Sequence, residues 1–191
     1  MELINPFAVP LFYVELDLDV VSIEKFCQEY RNNNEGRVIS NVGGYQSNNL
    51  STDNKHINSL IDQIIKHSNI FSESYSLKIK NVISSMWLNI NGYKDSNGLH
   101  LHTLAIFSGV YYVKTPENCG NIVFENPAAD VMDYAHCVMN FTELNKYNSS
   151  YHWYQAKENT LYIFPSWLKH KVEPNMSNDE RISISFNTIS A

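Results

Sequence analysis

The segment from Arg181 to Asn187 constrains the fold more than any other part of the sequence. Its apolar residues alternate with polar ones, so Ile182, Ile184 and Phe186 lie on one face of a β-strand and the polar residues lie on the other. Such a strand usually turns its polar face to water. Two amphipathic helical segments earlier in the chain, however, need an apolar sheet face to pack against. We therefore predict that the apolar face lies under the helices and that the polar face lines a barrel or jelly roll.

The periodicity of the rest of the chain agrees with a mainly β fold that carries helices on one face. Helical spacing occurs in residues 23–30 and 57–65, after an early strand at 9–16, and the period changes to two from about residue 78. Further strands are predicted at 86–91, 107–113, 122–124, 161–164 and 181–187. The segment 42–47, which holds two glycines, is predicted to be a loop. The fold class that fits these elements is a double-stranded β-helix, a cupin-like jelly roll.

The chain length favours one domain over residues 1–191. Within it we expect the N-terminal strand and supporting helices at 1–77 and the β-helix core at 78–191. Residues 128–156 are rich in Tyr, Asn and Met and lack a clear period, so we predict a long insertion over the sheet. The Tyr-rich part at 147–154 could serve as a substrate lid or be a plain insertion.

Composition and charge exclude several classes of function. The net charge is −6 and no long basic run occurs, which disfavours binding to nucleic acid or to anionic membranes. The three cysteines form no CxxC pair, which predicts free thiols in a reducing compartment. Residues 1–6 lack the basic and apolar regions of a signal peptide, and no apolar run approaches the ~20 residues that span a bilayer. We expect a cytoplasmic protein.

Three histidines, His100, His102 and His170, form the strongest candidate site. Strand side chains alternate between faces, so two histidines two positions apart point the same way, with Cα atoms roughly 6.5–7 Å apart. Both imidazoles could then reach one ion. A third imidazole from a distant strand would complete a facial set and leave the opposite side of the ion open. Non-haem Fe(II) oxygenases use this kind of open facial arrangement.

An arginine on the polar face of the last strand is a candidate carboxylate ligand. Arg181 carries a planar fork that can bind a carboxylate bidentately, and burying it without a partner would cost several kcal/mol. The acidic residue closest to it in sequence, Glu180, points to the opposite face, so a small dicarboxylate is its natural partner. Ser183 shares the inward face, and Asn89 is a candidate for binding a carboxylate or a water. Metal, open face and carboxylate clamp together indicate an oxygenase that consumes a 2-oxo acid.

The other histidines and two of the tryptophans have simpler interpretations. We predict that four histidines are packed or surface residues: His56, His67, His136 and His152. We predict that Trp153 and Trp167 contribute to packing rather than to a substrate platform.

Several linked motifs resemble those of a known family. They are Gly98–His102, Ser108–Val113, Ile163–Asn175 and Arg181–Asn187. In this order they resemble the 2OG-Fe(II) oxygenases of bacteria and tailed phages, which are relatives of the prolyl 4-hydroxylases. The resemblance covers most of residues 80–190, and the segment 42–47 is similar to the N-terminal part of the family. It implies a double-stranded β-helix, Fe(II), 2-oxoglutarate as co-substrate, ascorbate as a supporting reductant, and a bacterial or phage-infected host cell.

The resemblance also assigns roles to individual residues. His100 matches the first iron ligand, His170 the distal histidine, and Arg181 the residue that holds the distal carboxylate of 2-oxoglutarate. Tyr112 matches a tyrosine that assists the same carboxylate. The wider superfamily has Asp or Glu where this chain has His102, and histidine is found there in this branch. Three neutral imidazoles lack one negative charge, which should weaken Fe(II) binding and admit Zn²⁺ or Ni²⁺.

The function that the resemblance implies is hydroxylation of a C–H bond, coupled to conversion of 2-oxoglutarate to succinate. No catalytic residue beyond the metal ligands is predicted. The expected partners are 2-oxoglutarate, dioxygen and an unidentified primary substrate, such as a prolyl or other protein side chain; oligomer formation is left open. Two alternatives remain. One is a three-His cupin-like dioxygenase or isomerase that does not use 2-oxoglutarate, and the other is a non-catalytic β-helix binding module.

Overall fold

The computed structural model describes residue 2 and residues 7–191, so most of the N-terminal segment 1–6 considered above lies outside it. Within the described residues, three helices accompany eleven strands. The elements are β1 (Phe12–Glu15), α1 (Val20–Asn33), β2 (Asn41–Val42), β3 (Tyr45–Gln46), α2 (Asn58–Ser74), β4 (Asn81–Asn91), β5 (Ser96–His100), β6 (Phe107–Lys114), β7 (Asn121–Glu125), α3 (Ala129–His136), β8 (Tyr151–Gln155), β9 (Thr160–Pro165), β10 (His170–Val172) and β11 (Arg181–Ser190). The predicted fold class, mainly β with few helices, is confirmed. No helix in this part of the chain is long and apolar enough to cross a membrane.

The strands form two antiparallel sheets. The major sheet has six strands in the order β1-β9-β6-β11-β4-β3, and the minor sheet has five in the order β2-β5-β10-β7-β8. The long strand β11 lies inside the major sheet, where it pairs with β4 on one side and β6 on the other. Most sequence-adjacent strands lie in different sheets or are separated within one, so the fold depends on pairings between distant segments.

The helices α1 and α2 cover one face of the major sheet, as the strand pattern predicts. The α1 helix begins after Asp19, whose carboxylate accepts a hydrogen bond from the Ser22 backbone N–H at 3.1 Å and caps the helix. Apolar residues of α1 and α2 share one buried cluster with the apolar residues of β4 and β11. Those strand residues are Met86, Leu88, Ile90, Ile182, Ile184 and Phe186. Burial of this face leaves the opposite, polar faces of β4 and β11 turned towards the minor sheet.

The space between the sheets is not uniformly polar. A second apolar cluster lies there, formed by β6, β7, β9 and the turn after β9. Phe124 of the minor sheet contacts Phe164 of the major sheet, with ring centroids 5.0 Å apart. The inner face is therefore aromatic along β6 and β9 and polar along β4 and β11. Because these four strands are neighbours in one sheet, its apolar part lies beside its hydrogen-bonding part.

The double-glycine segment 42–47 is a turn between two short strands, so its prediction as a loop was only partly correct. Gly43 and Gly44 have φ values of 70° and 65° and carry the chain from β2 in the minor sheet to β3 in the major sheet. A Cβ on Gly43 would lie 2.1 Å from the Asp95 carboxylate oxygen Oδ1. Glycine is needed here both for the left-handed backbone and for the close approach.

The predicted insertion 128–156 contains more regular structure than its sequence suggested. Its first part forms α3, and its last part forms β8, which pairs with β7 and extends the minor sheet. Of the segment 147–154, for which a lid and a plain insertion were both left open, residues 151–154 lie in the ladder with β7. Aromatic side chains favour extended backbone, which explains why Tyr151–Gln155 adds to the sheet edge.

Candidate metal centre

The three candidate histidines come together from two neighbouring strands of the minor sheet. His100 ends β5 and His170 begins β10, and the two residues are direct cross-strand partners. His102 lies two residues beyond the end of β5, so the expectation that both histidines of the pair lie on a strand was wrong. Its backbone N–H instead donates to the Ser166 carbonyl at 2.9 Å, in the turn after β9. That contact turns its ring towards the other two imidazoles.

The ring geometry fits one shared ion. The nitrogen atoms that His100, His102 and His170 could offer lie within 4.8 Å of one another. The Nε2 atoms of His102 and His170 are 3.3 Å apart. Nitrogens bound at right angles to one ion, at about 2.1 Å each, are separated by about 3 Å. The His102–His170 pair is therefore close to the spacing that adjacent metal ligands need.

Backbone carbonyls orient two of the rings. The Nδ1 of His100 lies 2.7 Å from the Gly98 carbonyl, and the Nδ1 of His170 lies 2.9 Å from the Leu168 carbonyl. Because a carbonyl can only accept, each Nδ1 carries the proton and each Nε2 presents a lone pair. Metal-binding histidines are commonly fixed through their second nitrogen in this way.

Burial keeps the three rings neutral. Desolvation lowers the pKa of His100. It also lowers the pKa of His102 to about 4 and that of His170 to about 3, and at these two residues the neighbouring imidazoles add to the effect. Neutral imidazoles are the form that binds metal. The cluster includes no carboxylate. The donor set is thus three nitrogens on one side of a common point, which suits Fe(II), Zn²⁺ or Ni²⁺.

Arg181 is buried between the sheets, as the strand alternation predicts. Only 1% of it is exposed, and burial lowers its pKa. Its Nη1 donates to the backbone carbonyls of Cys119 and Glu173, whereas its Nη2 has no partner among the described residues. Glu180 lies on the outer side, where it pairs with Arg31. Carbonyls are dipoles without net charge, and the guanidinium forms no ion pair with any described residue.

Two of the other predicted pocket residues, Asn89 and Tyr112, also carry unpaired polar atoms, as does Asn91 on the same strand as Asn89. Asn89 donates to the Ser185 hydroxyl at 3.1 Å, and its Oδ1 has no partner among the described residues. The Tyr112 hydroxyl and the Asn91 Nδ2 are buried without partners in the described part of the chain, and burial raises the pKa of Tyr112. Buried polar groups normally have partners, so a cavity with several unused donors indicates a ligand with acceptor atoms.

A narrow cavity of about 40 Å³ joins these groups. Its lining includes His100, His102, His170, Tyr112, Asn89, Asn91, Arg181 and Ser183, so every predicted site residue borders one space. The unused donors of Arg181, Tyr112 and Asn91 suit a carboxylate. A slender dicarboxylate with one end at the imidazoles and the other at Arg181 fits this donor set.

A wider groove of about 520 Å³ adjoins the cavity. Four residues border both spaces: Ser40, Trp87, His100 and His102. The imidazole cluster is therefore reachable from two sides, by a narrow cavity that ends in Arg181 and by a broader groove.

The backbone groups that hold Arg181 were missed at the sequence level. The carbonyls of Cys119 and Glu173 are 62 and 8 residues from it in sequence, and no side-chain pattern marks them. The one available signal is Gly120, which has a φ of 83° and sits where a Cβ would lie 2.6 Å from the Glu173 carbonyl oxygen. Glycine there allows the loop before β7 to approach the strand β10.

The remaining histidines stay outside the cluster, as predicted. His56 stacks on Phe26, with ring centroids 5.5 Å apart. His67 contacts Phe12, His136 contacts Phe141 and His152 contacts Tyr154. The packing prediction for two tryptophans was wrong, because Trp153 and Trp167 are 59% and 49% exposed. Trp153 lies on β8, at the edge of the minor sheet.

Comparisons with known proteins agree with this geometry. Residues 85–187 match the family described as "Putative 2OG-Fe(II) oxygenase". No curated protein sequence matches the chain. Similar solved structures include a prolyl-4-hydroxylase from Pseudomonas putida, at 11% identity and a TM-score of 0.67 over 96% of this chain and 94% of that one. At such identity the likeness shows the fold alone, and it confirms the double-stranded β-helix.

Two further structures were determined with 2-oxoglutarate. One is the viral collagen prolyl hydroxylase vCPH from Paramecium Bursaria Chlorella virus-1, with 13% identity, a TM-score of 0.60, and coverage of 95% of this chain and 96% of that chain. The other is HygX from Streptomyces hygroscopicus with nickel and 2-oxoglutarate, with 7% identity, a TM-score of 0.64, and coverage of 96% and 84%.

Proposed function

Because the chain belongs to the 2OG-Fe(II) oxygenase family, we propose that His100, His102 and His170 hold its iron and that Arg181 holds its co-substrate. The protein is an oxidoreductase that depends on non-haem Fe(II) and 2-oxoglutarate. The observation that carries the residue assignment is a single cavity bordered by three convergent imidazoles and an arginine without an anionic partner.

The iron, when bound, would use one molecule of dioxygen to couple oxidative decarboxylation of 2-oxoglutarate, which gives succinate and CO₂, with hydroxylation of a C–H bond, one oxygen atom going to each product. The chain's own residues position the reactants. Arg181 Nη2 and the Tyr112 hydroxyl bind the far carboxylate, while Asn91 supplies a further donor. Asn89 and Ser183 line the cavity beside the bound 2-oxoglutarate and restrict its orientation.

Charge balance supports a dianionic co-substrate. Three neutral imidazoles leave the full charge of a divalent ion uncompensated, and Arg181 adds one more positive charge in the same buried space. A buried charge is costly unless it is paired. 2-Oxoglutarate brings two carboxylates, one for each end of the cavity, and is therefore a better occupant than a monoacid.

Two aromatic side chains beside the imidazoles, one from β9 and one from β4, keep water from the reacting atoms. Phe164 lies 4.6 Å from the ring of His170, and Trp87 lies 5.6 Å from the ring of His102, both measured between centroids. These side chains remove water from one side of the ion and fix the imidazole planes. Exclusion of water strengthens the interactions of Arg181 with a carboxylate and limits side reactions.

The primary substrate that we propose is a protein side chain, with a prolyl residue as the first candidate. Support comes from the similarity of fold to a bacterial prolyl-4-hydroxylase and a viral collagen prolyl hydroxylase. The 520 Å³ groove that reaches His100 and His102 provides the entry for such a substrate.

We also propose that residues 1–191 act as one domain and that the protein works in the cytoplasm, where its three free cysteines stay reduced.

Succinate release tests the proposal. The purified protein should form succinate from 2-oxoglutarate in air with Fe(II) and ascorbate, slowly without a primary substrate and faster with one. His100→Ala should abolish it, whereas Lys25→Gln on the exposed side of α1 should not. Dioxygen uptake that does not require 2-oxoglutarate would instead favour a three-His dioxygenase of another type.

A further inference from the structure

The 520 Å³ groove beside the imidazoles is the space that a primary substrate would occupy. His100 and His102 form one part of its wall and Arg37 another. Its volume falls within the range of about 300–1,000 Å³ that is typical of small-molecule and side-chain pockets. Among its lining residues Arg37 is the sole Lys or Arg, and no Asp or Glu lines it.

Arg37 is held in place through its backbone, whereas its side chain is poorly satisfied. Its backbone N–H donates to the Gln46 carbonyl at 2.7 Å, which ties it to β3 at the edge of the major sheet. Its Nη2 makes a long hydrogen bond of 3.3 Å to the Asn49 Oδ1. The Nε atom is buried and has no partner in the described part of the chain, and Arg37 forms no ion pair there.

Gln46 adds a second unsatisfied group to the same wall. It is 3% exposed, it lines the groove, and its Oε1 is buried without a partner among the described residues. Buried polar atoms rarely remain unpaired, and each exception calls for an explanation. Here two such atoms, Arg37 Nε and Gln46 Oε1, belong to residues that line the same groove. Both residues are distant in sequence from every residue that we assign to iron or 2-oxoglutarate.

We infer that Arg37 binds a carboxylate of the primary substrate and so selects substrates with an acidic group near the hydroxylated carbon, while the Gln46 Oε1 accepts a hydrogen bond from an N–H group of the same substrate. The inference rests on the proposed function, because it takes the groove as the entrance to the iron. The guanidinium fork suits a planar oxyanion, and the absence of acidic residues from the lining leaves that fork without a competitor. The carboxylate belongs to an acidic side chain next to the target residue of a polypeptide or to a free acid.

Binding measurements separate this inference from the catalytic proposal. The probes are blocked tetrapeptides in which glutamate precedes or follows proline, their glutamine counterparts, and N-acetyl-proline with its primary amide. Dissociation constants are measured by ligand-observed NMR on protein loaded with Zn²⁺ and 2-oxoglutarate, so that no turnover is required. The variants are Arg37→Gln and Arg37→Lys, with Lys25→Gln as a charge-matched control on the exposed side of α1.

The wild type and Lys25→Gln should bind at least one acid roughly tenfold or more tightly than its amide, as one charged hydrogen bond allows. In Arg37→Gln the acid and its amide should bind with about equal affinity. Arg37→Lys should retain part of the preference for the acid. If the glutamate peptides bind more tightly than their glutamine counterparts, the substrate is an acidic polypeptide. If only N-acetyl-proline binds more tightly than its amide, the substrate is a free acid. Equal affinities for every acid and its amide in the wild type, or an unchanged ratio in Arg37→Gln, would overturn the inference even if succinate is formed.

Discussion

Replacing Arg181 by lysine should weaken 2-oxoglutarate binding while leaving metal binding intact. In the structure the guanidinium divides its donors: Nη1 donates to the Cys119 and Glu173 carbonyls, and Nη2 is free for a ligand. A lysine keeps the charge but offers a single ammonium group. It cannot satisfy both carbonyls and also reach the carboxylate in the fork geometry.

The size of the effect follows from the hydrogen bond that is lost. A hydrogen bond to a charged group contributes about 1.5–3 kcal/mol, which corresponds to a roughly ten- to hundredfold rise in the dissociation constant of 2-oxoglutarate. Metal affinity should hardly change, because the guanidinium has no hydrogen bond to the imidazoles.

Anaerobic calorimetry of 2-oxoglutarate binding to the Fe(II)-loaded protein measures the effect. Arg31→Lys is the matched control, since Arg31 lies on the outer face and pairs with Glu180. Both variants remove a guanidinium, but only the change at Arg181 should raise the dissociation constant. If 2-oxoglutarate binds Arg181→Lys as tightly as the wild type, the carboxylate is held elsewhere and a 2-oxoglutarate-independent enzyme becomes the better interpretation.

Three further predictions address the ligands and the thiols. His170→Ala should lose stoichiometric metal binding with an unchanged circular dichroism spectrum, and full metal content after dialysis would contradict the site. His102→Asp should bind Fe(II) more tightly than His102→Ala, because a carboxylate restores the two-His-one-carboxylate set; equal affinities in metal titrations would argue against a ligand there. At pH 8 iodoacetamide should label the exposed Cys137 quickly and Cys27 slowly, because burial raises the pKa of Cys27 to about 12. Peptide mass spectrometry measures both rates, and fast labelling of Cys27 would contradict its burial.

Local sequence patterns predicted six of the strands in the described residues, β1, β4, β6, β7, β9 and β11. The alternation of β11 placed Arg181 and Ser183 inside and Ile182 under the helices, because the period of two leaves no other arrangement once one face is buried. Asn159 has a left-handed backbone, with a φ of 58°. Its side chain also holds both backbone groups of Leu18, which the local pattern did not indicate.

Features that depend on contacts between distant segments could not be predicted in the same way. The strand β5 ends at His100, and the position of His102 is determined by its hydrogen bond to Ser166, which is 64 residues away (166 − 102). The edge strand β8 forms because β7 offers it a ladder, although the residues before it are Asn- and Ser-rich. The two carbonyls on Arg181 arise from loop packing, which leaves no periodic trace in the sequence.

The central claim is that one cavity holds the metal at the imidazoles and the 2-oxo acid between the metal and Arg181. If so, metal and 2-oxoglutarate must each increase the other's affinity by the same factor. Anaerobic calorimetry of 2-oxoglutarate binding, with and without Fe(II), measures this coupling directly. We expect Fe(II) to tighten 2-oxoglutarate binding by roughly 5- to 150-fold in the wild type and to have no such effect in His100→Ala. Equal affinity of the wild type with and without the metal would contradict a shared site.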